Sequence, residues 1–311
     1  MLWLIVAIIS YFILAAAFLV DKYLLSSSIP NPKSYTFYVG ILGVFVLAFI
    51  PFVGFYIPQT SQIILALSAG AIFVYALFWF YNALFHFEAS RVIPAVNGLV
   101  PLFTFFLVYI FSFGREILPI SGIIAFILLV MGSILITFEK GKFINSRSFK
   151  ISLICAFLFS LSFTLSKYVY LNQSFWNGFI WIRLGGVIAS ILFLIFVKDL
   201  RKAIFKRKET TVSLQAPKKN YKTMAIFLLN QAGGSLASIL QNWAFALAPL
   251  AYIAVVNALQ GVQYAFLLIL TIIISLKFPQ IIKEEISKKT ILQKALAILL
   301  IVMGLVFLAF K

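Results

Sequence analysis

Acidic side chains, histidine and cysteine are all scarce in this sequence of 311 residues, which has 8 Asp and Glu, one His and one Cys. The lone Cys155 excludes an intrachain disulfide and any cysteine-based metal site. His86 has no second histidine to share a metal, and the only aspartates, Asp21 and Asp199, stand at the ends of apolar segments. An enzyme working inside a bilayer would need a Ser–His pair, two aspartates or an HExxH helix. The single histidine and the span-end aspartates argue against such a set. The chain is therefore read as a non-enzyme with no cofactor and no metal, and an intramembrane enzyme is kept only as an alternative. A Walker A loop is missing too, which removes ATP as a direct energy source. Charge as a whole is sparse: 11% of residues are charged, against about 25% in soluble domains. No stretch is long and polar enough to form a separate soluble domain.

Apolar residues dominate instead, at 63% of the chain with a mean hydropathy of +1.10. They come in long blocks, as bilayer-spanning helices require. The expected spans are 2–20, 35–53, 62–86, 91–113, 118–138, 150–171, 175–197, 223–247, 250–276 and 290–310. The first block has no basic n-region or small-residue cleavage site, so it is expected to remain as a span.

The net charge of +17 would point to nucleic acid in a soluble protein, but here its placement says otherwise. Of the 25 basic residues, 21 fall in alternate connections: Lys22 and Lys33, Arg91, the four from Lys140 to Lys150, nine from Lys198 to Lys222, and five from Lys277 to Lys294. The opposite side holds only Arg115 and Lys311, while Lys167 and Arg183 fall inside spans. By the positive-inside rule the rich loops are cytoplasmic and both termini lie outside. The expected location is the plasma (inner) membrane, with lipid as a partner and no nucleic acid. The 198–222 segment is also a candidate for binding anionic lipid.

The two halves are alike. ILLVMGSILITF (127–138) matches LLIVMGLVFLAF (299–310), setting Gly132 beside Gly304. A shift of 163 aligns Gly70 with Gly233, Ala83-Leu84 with Ala246-Leu247, Val92 with Val255 and Gly98 with Gly261. The first spans end in Asp21-Lys22-Tyr23 and Ser166-Lys167-Tyr168. Each half, 1–142 and 143–311, holds five spans, so the second enters the membrane inverted. The expected fold is an all-α membrane protein of ten helices in two inverted five-helix repeats forming one membrane domain. Inverted repeats recur in secondary transporters because two exchangeable halves supply inward-open and outward-open states.

The residues Tyr81-Asn-Ala83-Leu84, Ala89-Ser90-Arg-Val92, Pro101-Leu-Phe-Thr104 and Gly114-Arg-Glu116 resemble the third-to-fourth-span pattern of EamA-type proteins of the drug/metabolite transporter superfamily. Trp181-Ile-Arg183-Leu-Gly-Gly resembles the Arg-bearing second helix of such a repeat, although the matching position of the first half is Gly40. The resemblance covers almost the whole chain. It implies ten helices in two inverted repeats and a permease for a small metabolite or drug-like solute.

Polar groups inside spans are costly and mark candidate solute paths. Tyr75, Trp79, Asn82 and His86 share one face of span 3, and Gln231, Ser235, Ser238 and Asn242 share one face of span 8. Span 4 carries Ser90, Pro94, Asn97, Pro101 and Thr104, and span 9 carries Asn257, Gln260 and Tyr264. These stripes are expected to line a central cavity for a small-molecule solute, with Pro94 and Pro101 loosening span 4 as hinges. The plainer reading is hydrogen bonding between neighbouring helices. Arg183 is either an anion-binding group on the path or half of an ion pair with Glu88 or Glu116. His86 is either a proton-coupling site or a hydrogen-bonded histidine. A flippase or accessory subunit for a lipid-linked sugar is the alternative function.

Overall fold

The computed structural model describes residues 2–24, 32–87, 89–137, 146–205, 221–277 and 288–309. Among them every regular element is helical. The long helices are α1 (Leu2–Leu24), α3 (Thr60–His86), α4 (Ala89–Phe111), α5 (Ile120–Thr137), α6 (Ser146–Asn172), α7 (Phe175–Phe196), α9 (Tyr221–Leu247), α11 (Gln260–Lys277) and α12 (Lys288–Ala309). Between them lie α2 (Pro32–Ile41), which continues as a 3₁₀ helix over Leu42–Phe52, and the short α8 (Lys198–Phe205) and α10 (Ile253–Ala258). Six helical stretches are long and apolar enough to cross a membrane, and three more apolar helices are shorter. Much of the outer surface is apolar: Phe113 is 89% exposed, Phe52 83% and Phe196 76%. A surface that apolar suits lipid and not water. The chain is an α-helical protein with the build of a membrane protein.

Apolar helices in lipid gain little from burying more apolar surface, so close backbone approach decides which of them pack. Glycine permits that approach at several crossings, two of them with glycines on both helices. At the first, α5 meets α12. A methyl group added at Gly132 would fall 2.6 Å from Ile301, and one added at Gly304 would fall 2.9 Å from Leu129. Each glycine thus receives the branched side chain that lies three residues before the other. At the second crossing, α3 meets α7: a methyl at Gly70 would collide with the Ile182 carbonyl oxygen and lie 2.8 Å from the Gly186 nitrogen. A methyl at Gly185 would collide with the Leu67 backbone. Side chains then bond across the neighbouring contacts. Ser162 of α6 donates to the Ala69 carbonyl at 2.9 Å, and Ser10 of α1 donates to the Ala237 carbonyl at 2.8 Å.

The end of α9 has a separate device. Pro249 lacks an N–H and stops the helix, leaving terminal carbonyls that need donors. Lys167 of α6, only 2% exposed, supplies them: its Nζ donates to Ala246 at 3.0 Å and Ala248 at 2.5 Å. A cation there also meets the negative end of the helix dipole. This explains a buried lysine that charge alternation leaves unexplained. At the far end of the bundle, Lys33 bonds Asp199 in the first turn of α8 at 2.8 Å. The hydrogen bond from Lys33 holds the Asp199 carboxyl below the usual carboxylate range.

Gly70→Ala should lower unfolding stability by about 1–3 kcal/mol, the usual cost of overpacking. Gly233→Ala and Gly234→Ala, whose new methyls would meet nothing within 4 Å among the described residues, should be neutral or stabilising. Chemical denaturation of the purified protein in detergent checks the contrast. Lys167→Met strands two carbonyls, each worth about 1–3 kcal/mol when buried without a partner. It should lower the midpoint and speed amide exchange around residues 246–252.

Candidate functional site

A cleft opens where α2, α3, α6, α7 and α9 come together, enclosing about 600 Å³ of atom-free space with its mouth included. About 60 Å³ of this admits the centre of a water molecule, several times the roughly 10–15 Å³ that one water needs. The α3 wall is apolar, formed by Phe73, Val74 and Leu77 around Gly70, and α6 adds Phe163. Polar groups come from α7 with Arg183, from α9 with Ser238, Gln241 and Asn242, and from α6 with Ser162 and Ser166, whose hydroxyls donate to the Ala69 and Ser162 carbonyls.

Each of these polar groups is positioned by a helix turn. Phe179 lies four residues before Arg183 and therefore on the same face; its ring centroid is 4.9 Å from the guanidinium carbon. The guanidinium donates to the Ser238 hydroxyl. One turn along α9, Asn242 accepts from the Tyr170 hydroxyl at 2.9 Å and donates to the Ser238 carbonyl at 2.9 Å. Gln241 donates to the Tyr11 hydroxyl at 3.3 Å, and Tyr11 donates to the Val256 carbonyl at 2.9 Å. A charge deep in a span costs at least ~2.5–3.5 kcal/mol on insertion scales. Ser238 and the Phe179 face offset part of that cost for Arg183. No described carboxylate pairs with it; the ion pair among the described residues is Lys33–Asp199. Glu116 is exposed beyond the turn that ends α4, and Glu88 lies outside the described residues.

The predicted stripes do not all meet here. Ser238, Asn242 and Arg183 line the cleft. Tyr75 is 51% exposed and packs edge-on against Trp79. At 100° per residue, both sit about 140–180° around α3 from Gly70, which is the residue facing the cleft. Asn82 is partly buried, and its carbonyl contacts Nδ1 of the exposed His86 at 2.9 Å. Ser235 is exposed on α9. The side chains of Gln231, Ser90 and Pro94 lie outside the described residues.

The span 4 and span 9 residues form a second polar group, between α4 and α10–α11. Asn257 donates to the Thr104 hydroxyl at 2.9 Å, and Thr104 donates to the Val100 carbonyl at 2.8 Å. The Tyr264 hydroxyl meets the side chains of Asn97 and Gln260. Asn97 and Asn257 are 4% and 3% exposed; the Asn257–Thr104 bond ties α10 to α4, whereas Asn97 Nδ2 has no hydrogen-bond partner among the described residues. Pro101 is buried within an unbroken α4. The interruption falls opposite, where Pro249 opens a 3₁₀ turn and α10 ends before α11 begins at Gln260. Sequence reading did not select Gln241, Phe73, Phe163 or the glycines of α2, although Gly40 was already marked as the counterpart of Arg183. Among the described residues no group of three or more His, Cys, Asp or Glu could hold a metal.

No family model matches the sequence, and no curated protein matches it. Among solved structures, 26 chains match. One of them, a crystal structure of a protein, aligns over 99% of this chain and 96% of its own with a TM-score of 0.65 and 15% identity. At that identity the likeness is one of fold: the chain shares the fold of that structure from end to end.

Proposed function

We propose that this chain is a secondary transporter. In this reading ten spanning helices form two inverted repeats, 1–142 and 143–311. A small metabolite or drug-like solute crosses by alternating access through the cleft between them. One observation carries the proposal: two repeat-related helix pairs are packed differently. Under the sequence alignment, α3 against α7 corresponds to α9 against α2. The first pair is locked backbone to backbone at Gly70, Gly185 and Gly186. The second has no comparable packing among the described residues, and Gly233 and Gly234 of α9 face open space. A symmetric pair of seams with one shut and one open is what an alternating-access protein presents in either of its end states.

Further support comes from the reciprocal contact of Gly132 and Gly304, which fits a two-fold relation between α5 and α12. The cleft draws walls from both halves, and the resemblance to EamA-type proteins points the same way. With the basic loops cytoplasmic, the locked seam lies toward the outer ends of α3 and α7, and the open seam faces inward. There the α2–α3 connection also packs on α7: Phe55 stacks on Trp181, and the Tyr56 amide donates to Asn177 at 3.1 Å. A carrier of a lipid-linked sugar is the second reading, favoured by the position of the open seam between α2 and α9.

The test is a trap. In a Cys155→Ser background, oxidative cross-linking of Val39→Cys, which lines the cleft on α2, to Gly233→Cys should close the open seam. Flux in proteoliposomes should then stop and return on reduction. The solutes are those that raise the melting temperature in a screen of amino acids, nucleotide sugars and organic cations. Unchanged flux through the cross-linked protein would sink the proposal. Movement of a lipid-linked sugar, without flux of any soluble solute, would favour the second reading.

A further inference from the structure

We infer that the cleft binds a small monoanionic carboxylate, its carboxyl group on Arg183 and its apolar remainder against Phe73 and Phe163. Binding is argued from the cleft alone; that the bound molecule is then carried across rests on the transporter reading.

Charge balance comes first. Arg183 is the only ionisable cation or acid among the residues that line the cleft. One half-buried positive charge with no carboxylate among the described residues is completed by one negative charge. A dianion such as phosphate would leave an excess charge where water is scarce, and buried unpaired charge is heavily penalised. An organic cation would meet like charge and no acid. Commitment of donors comes next. One N–H of the Asn242 amide is taken by the Ser238 carbonyl and one of Gln241 by the Tyr11 hydroxyl, which leaves each amide a single neutral donor. A guanidinium has five N–H donors in a planar fork suited to a carboxylate. Here Ser238 takes one of them and Phe179 covers one face. The edge of the fork is therefore the charged donor set that a ligand finds.

Shape agrees. Phe73, Val74, Leu77 and Phe163 give the cleft its apolar surface, and the hydroxyls of Ser162 and Ser166 beside them are turned to backbone carbonyls. Pockets of this kind orient a ligand through one fixed polar anchor and hold the rest by apolar contact. The enclosed room limits that remainder to a few heavy atoms in this state, and a larger one would extend toward the open seam.

Sodium benzoate is the probe, with benzylamine, benzyl alcohol and sodium phosphate as controls on the full chain in detergent. Benzoate should raise the melting temperature, and the three controls should not. Arg183→Gln should weaken benzoate by about tenfold to a hundredfold, the worth of a charge-assisted hydrogen bond; Arg183→Lys should weaken it less. In the wild type, benzoate should slow modification of Arg183 by phenylglyoxal, read by mass spectrometry, so the test stands even where a variant does not fold. Equal binding of benzoate and benzyl alcohol, no protection of Arg183, or a Glu88→Gln variant as defective as Arg183→Gln would each overturn the inference. Benzoate binding without flux would retire the transporter reading and keep the site. Flux of other solutes without benzoate binding would do the reverse.

Discussion

Everything near the cleft depends on how closely α3 and α7 approach. In lipid the hydrophobic effect does not choose between apolar partners, so contact distance does. At Gly70 and Gly185 the two backbones come nearer than any side chain would allow, and Gly186 lies against Gly70. This crossing sets the rotation of both helices. It turns Gly70, Phe73, Val74 and Leu77 into the cleft and presents Arg183, one turn beyond Phe179, to α9. A bulkier residue at Gly70 or Gly185 would displace the guanidinium as well as the helix.

Two kinds of polar residue follow from that geometry. One kind sews helices together, as Asn257 does with Thr104, Ser162 with Ala69, and Lys167 with the end of α9. The other kind faces space, and Arg183 is its clearest member. Composition does not separate the two, because both place a costly group inside a span. Pairing does. A group whose partners are helix carbonyls has a structural task, whereas a cation with one hydroxyl and an aromatic face keeps capacity for something else.

Hydropathy made the helices legible: the described helix bounds fall within a few residues of the spans read from apolar runs, because twenty apolar residues in a row have few other fates. The same signal did not reveal that the second span is partly 3₁₀ over Leu42–Phe52, nor that span 9 breaks at Leu259. Both depend on packing against neighbours. On α9 the polar face is also the cleft face, so the polar stripe and the cleft share Ser238 and Asn242. On α3 the cleft face is glycine and apolar side chains, and Tyr75 and His86 lie on another face. Arg183 stood out in the sequence for a plain reason: no topology rule explains an arginine in mid-span.

The lysine that closes the end of α9 has a mechanical consequence. It fastens that end to α6, so any reorientation of α9 takes place about a fixed point, as a lever does about a fulcrum. Gly233 lies fourteen residues from Leu247, or about 21 Å along the axis at about 1.5 Å per residue. A tilt of about 10° then sweeps Gly233 through roughly 4 Å on that arm, while Asn242, on a short arm, travels about 1 Å. Large displacement at the mouth and small displacement at the anchor come from one rigid rod held at one end.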